Sequence, residues 1–382
     1  MMLTASDFVP AKYDLQTVDT GCVAWKCPSN IALVKYWGKR DPQLPENPSL
    51  SFTLDACATA TKLSFSKRAC PSESVSFKIF FEGLEQASFR PKIAHFFKRI
   101  SAYAPYLNHF DLRIDSRNSF PHSSGIASSA SGLGALALCV MSLERLLGEE
   151  LMAEDYFYQK ASFLARLGSG SACRSIRGSV VVWGADPQIA GSSDLFGSPF
   201  PHRLHDCFKH FHDTILLVDK GQKQVSSTVG HQLMHGHPFA SARFSQARAH
   251  LTALSQALKT GDLKAFIQLV ESEALSLHAM MMTSDPSFIL MKANTLQIIH
   301  KIRAFREATG THVCFTLDAG ANVHVLFPAA EKEIVTPFIT NELIAHCQQN
   351  HYICDRLGMG AVPLSDTQML AAGIGQGEDP AD

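Results

Sequence analysis

Residues Asn118 to Ala130 read NSFPHSSGIASSA and run straight into Gly132 to Leu147, an apolar stretch of strong helix formers. A proline-marked loop of serines and glycine that ends on a helix start constrains the whole chain. A buried helix must lie behind it, and the rest of the chain must supply the wall it faces. A helix N-terminus offers unpaired N–H groups and the positive end of a dipole, so it favours a phosphate. The same residues also suit an ordinary cap, with Ser128 or Ser129 satisfying the first turn. On these residues alone both readings stand.

The chain has 382 residues, long for one core and comfortable for two domains. Lys and Arg (34) nearly balance Asp and Glu (35), which argues against the basic surface of an ordinary nucleic-acid or anionic-membrane binder but leaves room for a small local cationic pocket. The ten cysteines form no CxxC pair. Several, such as Cys139 and Cys314, sit in apolar segments as small hydrophobes, which fits a reducing cytoplasm better than a disulfide framework. Met1 to Pro10 has no apolar signal core, and no run is expected to reach membrane-spanning length.

Alternating segments predict strands at 21–25, 31–36, 49–55, 61–67, 75–81, around Leu112 and Ile114, and at 179–183. Helical spacing predicts helices over 91–103 and 153–167. A Pro/His-rich stretch from Asp186 to Cys207 carries no helix signal and marks a domain boundary, giving units 1–205 and 206–382. The second half reads as a strand at 214–219, helices at 243–258, 263–282, 295–309 and 331–349, strands at 312–317 and 323–327, and a last strand at 366–372. Strands mixed with helices in both halves point to an α+β class.

Walker, GxGxxG and protein-kinase signatures are absent. Four other clusters carry chemistry. Lys35 and Lys39 flank Tyr36-Trp37-Gly38, as a cation pair for phosphate or carboxylate or as a solvated pair at a strand edge. GSGSACRSIR (168–177) sets Ser169, Ser171 and Arg174 around glycines, suited to bidentate capture of oxyanions or to a helix C-cap. KQVSSTVG (223–230) offers Ser226 and Ser227 as phosphate donors or caps. Asp318 ends an apolar strand, where a carboxylate either orients a hydroxyl or closes an Asx turn. Histidines gather at 202–237, with His231 and His235 one helical turn apart, but the glutamate of HExxH is missing, and no metal ligand is assigned.

Taken together, PSNIALVKYWGKRD, NSFPHSSGIASSASG, RLGSGSACRSIRG, KQVSSTVG and FTLDAGANVHV, in this order, resemble the diphosphomevalonate decarboxylase branch of the GHMP small-molecule kinases. The resemblance implies a two-domain GHMP-kinase fold, a ferredoxin-like sandwich in its C-terminal half, and an active site in the cleft between the halves. It implies ATP and Mg²⁺, mevalonate 5-diphosphate as the small-molecule substrate, and a cytoplasmic homodimer with no nucleic-acid or membrane partner. On this chain it makes Asp318, Lys35 and Arg174 catalytic. Tyr36, Lys39, Ser169, Ser171, Ser226 and Ser227 become the substrate pocket, and Asn118, Ser123, Ser124, Gly125, Ser128 and Ser129 the ATP cradle. The loop departs from the more usual PTAAGLASSA at His122, Ser123 and Ser124. Relatives that phosphorylate mevalonate or its monophosphate, or that only sense a ligand, are the alternatives.

Overall fold

The computed structural model describes residues 3–121, 126–148, 151–220 and 227–374. Its organising unit is an antiparallel pair of long strands, β1 (Thr20–Val34) and β2 (Ser49–Lys67), with Trp25 opposite Thr61 and Ile31 opposite Phe52. The sequence pattern divides each strand in two, and the structure joins them. The division falls at Pro28, which has no N–H to donate. The ladder slips between Pro28 and Asn30, so the missing donor costs no regular bond and the strand continues.

The next strands are β3 (Ser76–Phe81) and β4 (Phe110–Asn118), parallel to each other, with β4 antiparallel to β2. A short strand, β5 (Val180–Trp183), pairs with the start of β2. Helices α1 (Arg90–Ile100), α2 (Ser128–Leu147) and α3 (Glu154–Gly168) close one core, where Trp25 and Phe65 meet Phe96, Leu138 and Phe163. Contrary to the expectation from sequence, α2 is long and apolar enough to cross a membrane by length and composition. Its window is 78% buried within the protein, as a core helix should be.

The second sheet comprises β6 (His212–Leu216), β7 (Cys314–Leu317), β8 (Val323–Phe327) and β9 (Tyr352–Arg356), antiparallel throughout in the order β7-β8-β6-β9. It is joined by a short α4 (Ser227–Gln232) and by α5 (Ala240–Thr260), α6 (Leu263–Met282) and α7 (Ala293–Thr309). The architecture is therefore α+β, with two main sheets and a two-stranded ribbon, Lys39–Arg40 with Leu44–Pro45, among the described residues.

The halves share apolar material. Ile31, Leu33, Leu50 and Phe52, from the far end of the β1–β2 pair, pack with Leu251 and Leu254 of α5 and Phe266 of α6. A polar clamp reinforces this contact. The carboxylate of Asp355 on β9 accepts the backbone N–H groups of Asp55, Ala56 and Cys57 at 2.9, 2.8 and 2.7 Å. Here β2 departs from regular pairing, and its donors find partners in the other half.

Two C-terminal expectations are corrected. Residues 366–372, read as a strand, form helix α9 (Asp366–Ala371). Ser365 precedes it, and its N–H donates to Gln368 Oε1 at 2.9 Å, a capping signal within SDTQ that overrides the short apolar alternation. The single helix read over 331–349 is broken. Helix α8 spans Lys332–Phe338, contains Pro337, and gives way to a π turn at Ile339–Leu343 and then 3-10 turns.

Candidate active site

Lys35 immediately follows β1 and is 1% exposed. Its Nζ donates to the Ala32 carbonyl, its backbone N–H donates to Glu273 Oε2 at 2.8 Å, and its carbonyl accepts Asn47 Nδ2 at 2.9 Å. Burial pushes the ammonium down to about 8, with Asp318 and Glu273 pulling it back up.

Arg174 lies in the 3-10 turn Gly170–Ser175 and is also buried. Its Nε donates to Asn30 Oδ1 (3.3 Å) and its Nη1 to Ser49 Oγ (2.8 Å). Asn30 in turn donates to the Ser171 carbonyl at 3.1 Å and to Ser175 Oγ at 2.8 Å, stitching the turn to β1. Glycine is required at 170, because a Cβ there would lie 2.9 Å from both the Trp183 ring and the Tyr36 hydroxyl. This close approach brings Tyr36 against the backbone of Gly170, between Ser169 and Ser171 in the chain. Both serines are half-buried, and their hydroxyls have no hydrogen-bond partner among the described residues. Arg177, the other arginine of the cluster, is exposed and pairs with Asp155 at 2.6 Å.

Asp318 sits just past β7. Burial lowers the pKa of Lys35, Arg174, His231 and His278, and the charge of Asp318, near all four, offsets part of that fall. Buried His278 bonds the Asp318 carbonyl through Nε2 at 3.2 Å and fixes the turn. Lys39 is half-buried, and its Nζ donates to Gln43 Oε1 at 2.9 Å. Ser227 opens α4, while Ser226 lies outside the described residues. Lys35 and Arg174 are both inside, where an unneutralised charge is costly, and both feel Asp318, so neither is a solvated or incidental cation. The C-cap reading of the segment holds beside this, since the Ser169 N–H donates to the Ala165 carbonyl at 2.9 Å at the end of α3.

A second group forms at the start of α2. Asn118 ends β4 and accepts the Thr59 hydroxyl at 2.8 Å. Ser123, Ser124 and Gly125 lie outside the described residues. The expected serine cap is corrected: the N-cap is Ala127, at φ +39°, and it makes no side-chain capping bond, so Ser128 and Ser129 belong to the first turn. Ser129 Oγ accepts from Lys92 Nζ. Asn118, Ser128, Ser129 and Lys92 line a pocket of about 110 Å³ whose other wall includes Ile79, Phe81 and Leu133. A larger cavity of about 850 Å³ contains none of these side chains. In it, Glu271 neutralises Arg306 and Arg303 at 2.6 and 3.4 Å.

Sequence reasoning missed Glu273, Lys92 and the role of His231. Glu273 stands on a buried helical stripe with Phe266, Val270 and Leu277, where an acidic residue is out of place. Lys92 sits in the first turn of α1, where the helix dipole disfavours a cation. His231 Nδ1 accepts the Gly38 N–H at 2.9 Å.

Residues 27–194 match the diphosphomevalonate decarboxylase-like N-terminal domain, and residues 214–368 match the mevalonate 5-diphosphate decarboxylase C-terminal domain. The diphosphomevalonate decarboxylase of Ganoderma lucidum is 32% identical over 81% of this chain and 79% of its own. The human diphosphomevalonate decarboxylase is 30% identical over 78% and 75%. The solved complex of MDDEF with MVAPP, AMPPCP and magnesium superposes with a TM-score of 0.75 at 28% identity, covering 91% of this chain and 99% of that one. Matched in both halves and sharing its fold along most of its length, the chain belongs to the diphosphomevalonate decarboxylase family.

Proposed function

We infer that this chain catalyses the ATP-dependent decarboxylation of mevalonate 5-diphosphate to isopentenyl diphosphate. The observation that carries the reading is the placement of one carboxylate, Asp318, among two buried cations, Lys35 and Arg174. A tertiary hydroxyl leaves poorly until it is phosphorylated. Asp318 orients the 3-hydroxyl and accepts its proton as the oxygen attacks the γ-phosphate of ATP. Lys35, mostly protonated at neutral pH with a pKa near 8, balances the charge that builds there. Arg174, held by Asn30 and Ser49, pairs with the substrate carboxylate. As the C–O bond breaks and inorganic phosphate departs, the electrons of the bond to the carboxylate form the alkene and CO₂ leaves. Tyr36, Lys39, Ser169, Ser171, Ser226 and Ser227 bind the diphosphate.

The other pocket suits the nucleotide. The first turn of α2 has no side-chain cap, the Ser128 and Ser129 hydroxyls and Lys92 stand beside it, and an apolar wall lies opposite. These residues fit ATP phosphates and the magnesium they carry, which supplies charge neutralisation when bound. A cytoplasmic homodimer belongs to the same proposal, and all ten cysteines are free thiols, as a reducing compartment requires.

The test is a coupled assay of ADP and CO₂ release from ATP with mevalonate, its 5-phosphate or its 5-diphosphate. Stoichiometric ADP and CO₂ with the 5-diphosphate are expected. ADP without CO₂ would reduce the chain to a kinase, and tight binding without turnover would make it a sensor.

A further inference from the structure

Beside the residues given roles above stands a histidine whose hydrogen-bonding state the backbone dictates. The N–H of Gly38 donates to His231 Nδ1 at 2.9 Å. A ring nitrogen that accepts a hydrogen bond carries no proton, so the proton of the neutral imidazole is on Nε2. The ring cannot turn to change this. It is wedged between Tyr36, at a centroid distance of 4.2 Å, and Trp37, at 4.7 Å, and is 7% exposed. A side chain at the preceding residue, Gly230, would strike the Trp37 indole at 2.5 Å, so the backbone is pressed against the same wall.

Among the described residues, Nε2 has no hydrogen-bond partner, leaving a buried ring with one oriented donor to spare. Its charged surroundings come from three elements: Lys39 after β1, Arg174 in the 3-10 turn, and Asp318 after β7. Burial, reinforced by Lys39 and Arg174, pushes the imidazole down to about 3, so the ring stays neutral and keeps the Nε2 proton across the physiological range. A purely structural histidine needs only its Nδ1 contact and its ring faces. A fixed N–H donor whose charged neighbours are two cations and one carboxylate fits an anionic oxygen of a ligand drawn in by the cations.

We propose that His231 is a substrate-binding residue whose Nε2–H donates to a diphosphate oxygen of the substrate beside Lys39. The diphosphate is favoured over the carboxylate because His231 is bonded to the residue next to Lys39, whereas Arg174 is held by Asn30 and Ser49. The inference rests on the decarboxylase reading.

Two variants of the full chain separate the roles of the ring nitrogens. His231→Asn keeps an acceptor near Nδ1 for Gly38 and removes the distal donor, whereas His231→Gln restores a donor near Nε2. The expected result is a KM for mevalonate 5-diphosphate about tenfold higher in His231→Asn, the effect of losing one charge-assisted hydrogen bond. KM for ATP stays within about twofold, and His231→Gln recovers most of the loss. Equal changes in both KM values, or no rescue by Gln, would assign His231 a merely structural role and overturn the proposal. If wild type binds the 5-diphosphate and His231→Asn binds it equally well, the inference alone falls. If wild type does not bind it at all, the functional reading falls and takes the inference with it.

Discussion

Glu144 and Glu273 look alike in sequence and differ in what they hold. Each is an acidic residue on an apolar helical stripe, Glu144 between Val140 and Leu147 of α2, Glu273 between Val270 and Leu277 of α6. Each is nearly inaccessible, at 5% and 0% exposure. Glu144 pairs with Lys160 through both oxygens at 2.6 and 2.8 Å and accepts the Tyr106 hydroxyl at 3.0 Å. All three side chains belong to the N-terminal core. Glu273 accepts a fork from Arg243, the ring of His250 at 2.6 Å, and the backbone N–H of Lys35 at 2.8 Å. Burial raises both carboxyls. It prevails at Glu144 over the single cation, whereas at Glu273 the bonds from His250, Arg243 and Lys35 outweigh it and hold the carboxyl below its usual range. The first carboxylate closes a local account of charge. The second reaches from α6 across α5 to the end of β1 and fixes the backbone of Lys35, a residue of the proposed active site.

The largest expected effect is on stability. Glu144→Ala strands the Lys160 ammonium in the core and should cost about 3–5 kcal/mol, read as a lower urea midpoint at unchanged slope. Replacing both partners with apolar residues, Glu144→Leu with Lys160→Met, should recover most of that loss. A single variant as stable as wild type would mean that Lys160 finds another partner or reaches water. Neither change should alter KM for substrate or ATP in the folded protein, since among the described residues the pair bonds only Tyr106 and no residue proposed to bind either ligand.

Glu273→Gln should act on rate instead. Losing the negative charge behind Lys35 and one of its two acceptor oxygens is expected to lower kcat by about 10–100-fold, equivalent to about 1.4–2.7 kcal/mol at the transition state. The pH profile carries the sign. The negative charge of Glu273 raises the Lys35 pKa, so removing it lowers that pKa further below about 8. The protonated lysine is then lost at lower pH, and the alkaline limb of kcat should move towards neutrality. A limb that stays in place would separate Glu273 from Lys35 and erase the contrast with Glu144.

The same contrast explains what the sequence disclosed. The loop before α2, the KYWGK and GSGSACR clusters and Asp318 were legible because each sets small or charged residues at a break in an apolar pattern. The α+β class followed from alternating strands among helices. Pro28 hid the length of β1, because its bulge partner lies some thirty residues away and register is a non-local property. Glu273 stayed hidden for a related reason. Its misplacement on an apolar stripe was visible, but an identical misplacement occurs at Glu144, and only the fold decides which of the two meets Lys35. His231 was read with His235 as a helical pair, and its partner proved to be a backbone N–H from a distant segment.

The central claim is that Asp318 handles the proton of the substrate hydroxyl while its cationic neighbours hold charge. Turnover of Asp318→Asn measures this most directly, with ADP and CO₂ followed together and substrate affinity determined separately by calorimetry. Asparagine keeps the size and the turn but cannot accept the proton. Both products should fall together by about a thousandfold or more, at the upper end of what a positioned base contributes, while mevalonate 5-diphosphate still binds and the melting temperature holds. Near-normal release of ADP and CO₂ by this variant would contradict the account.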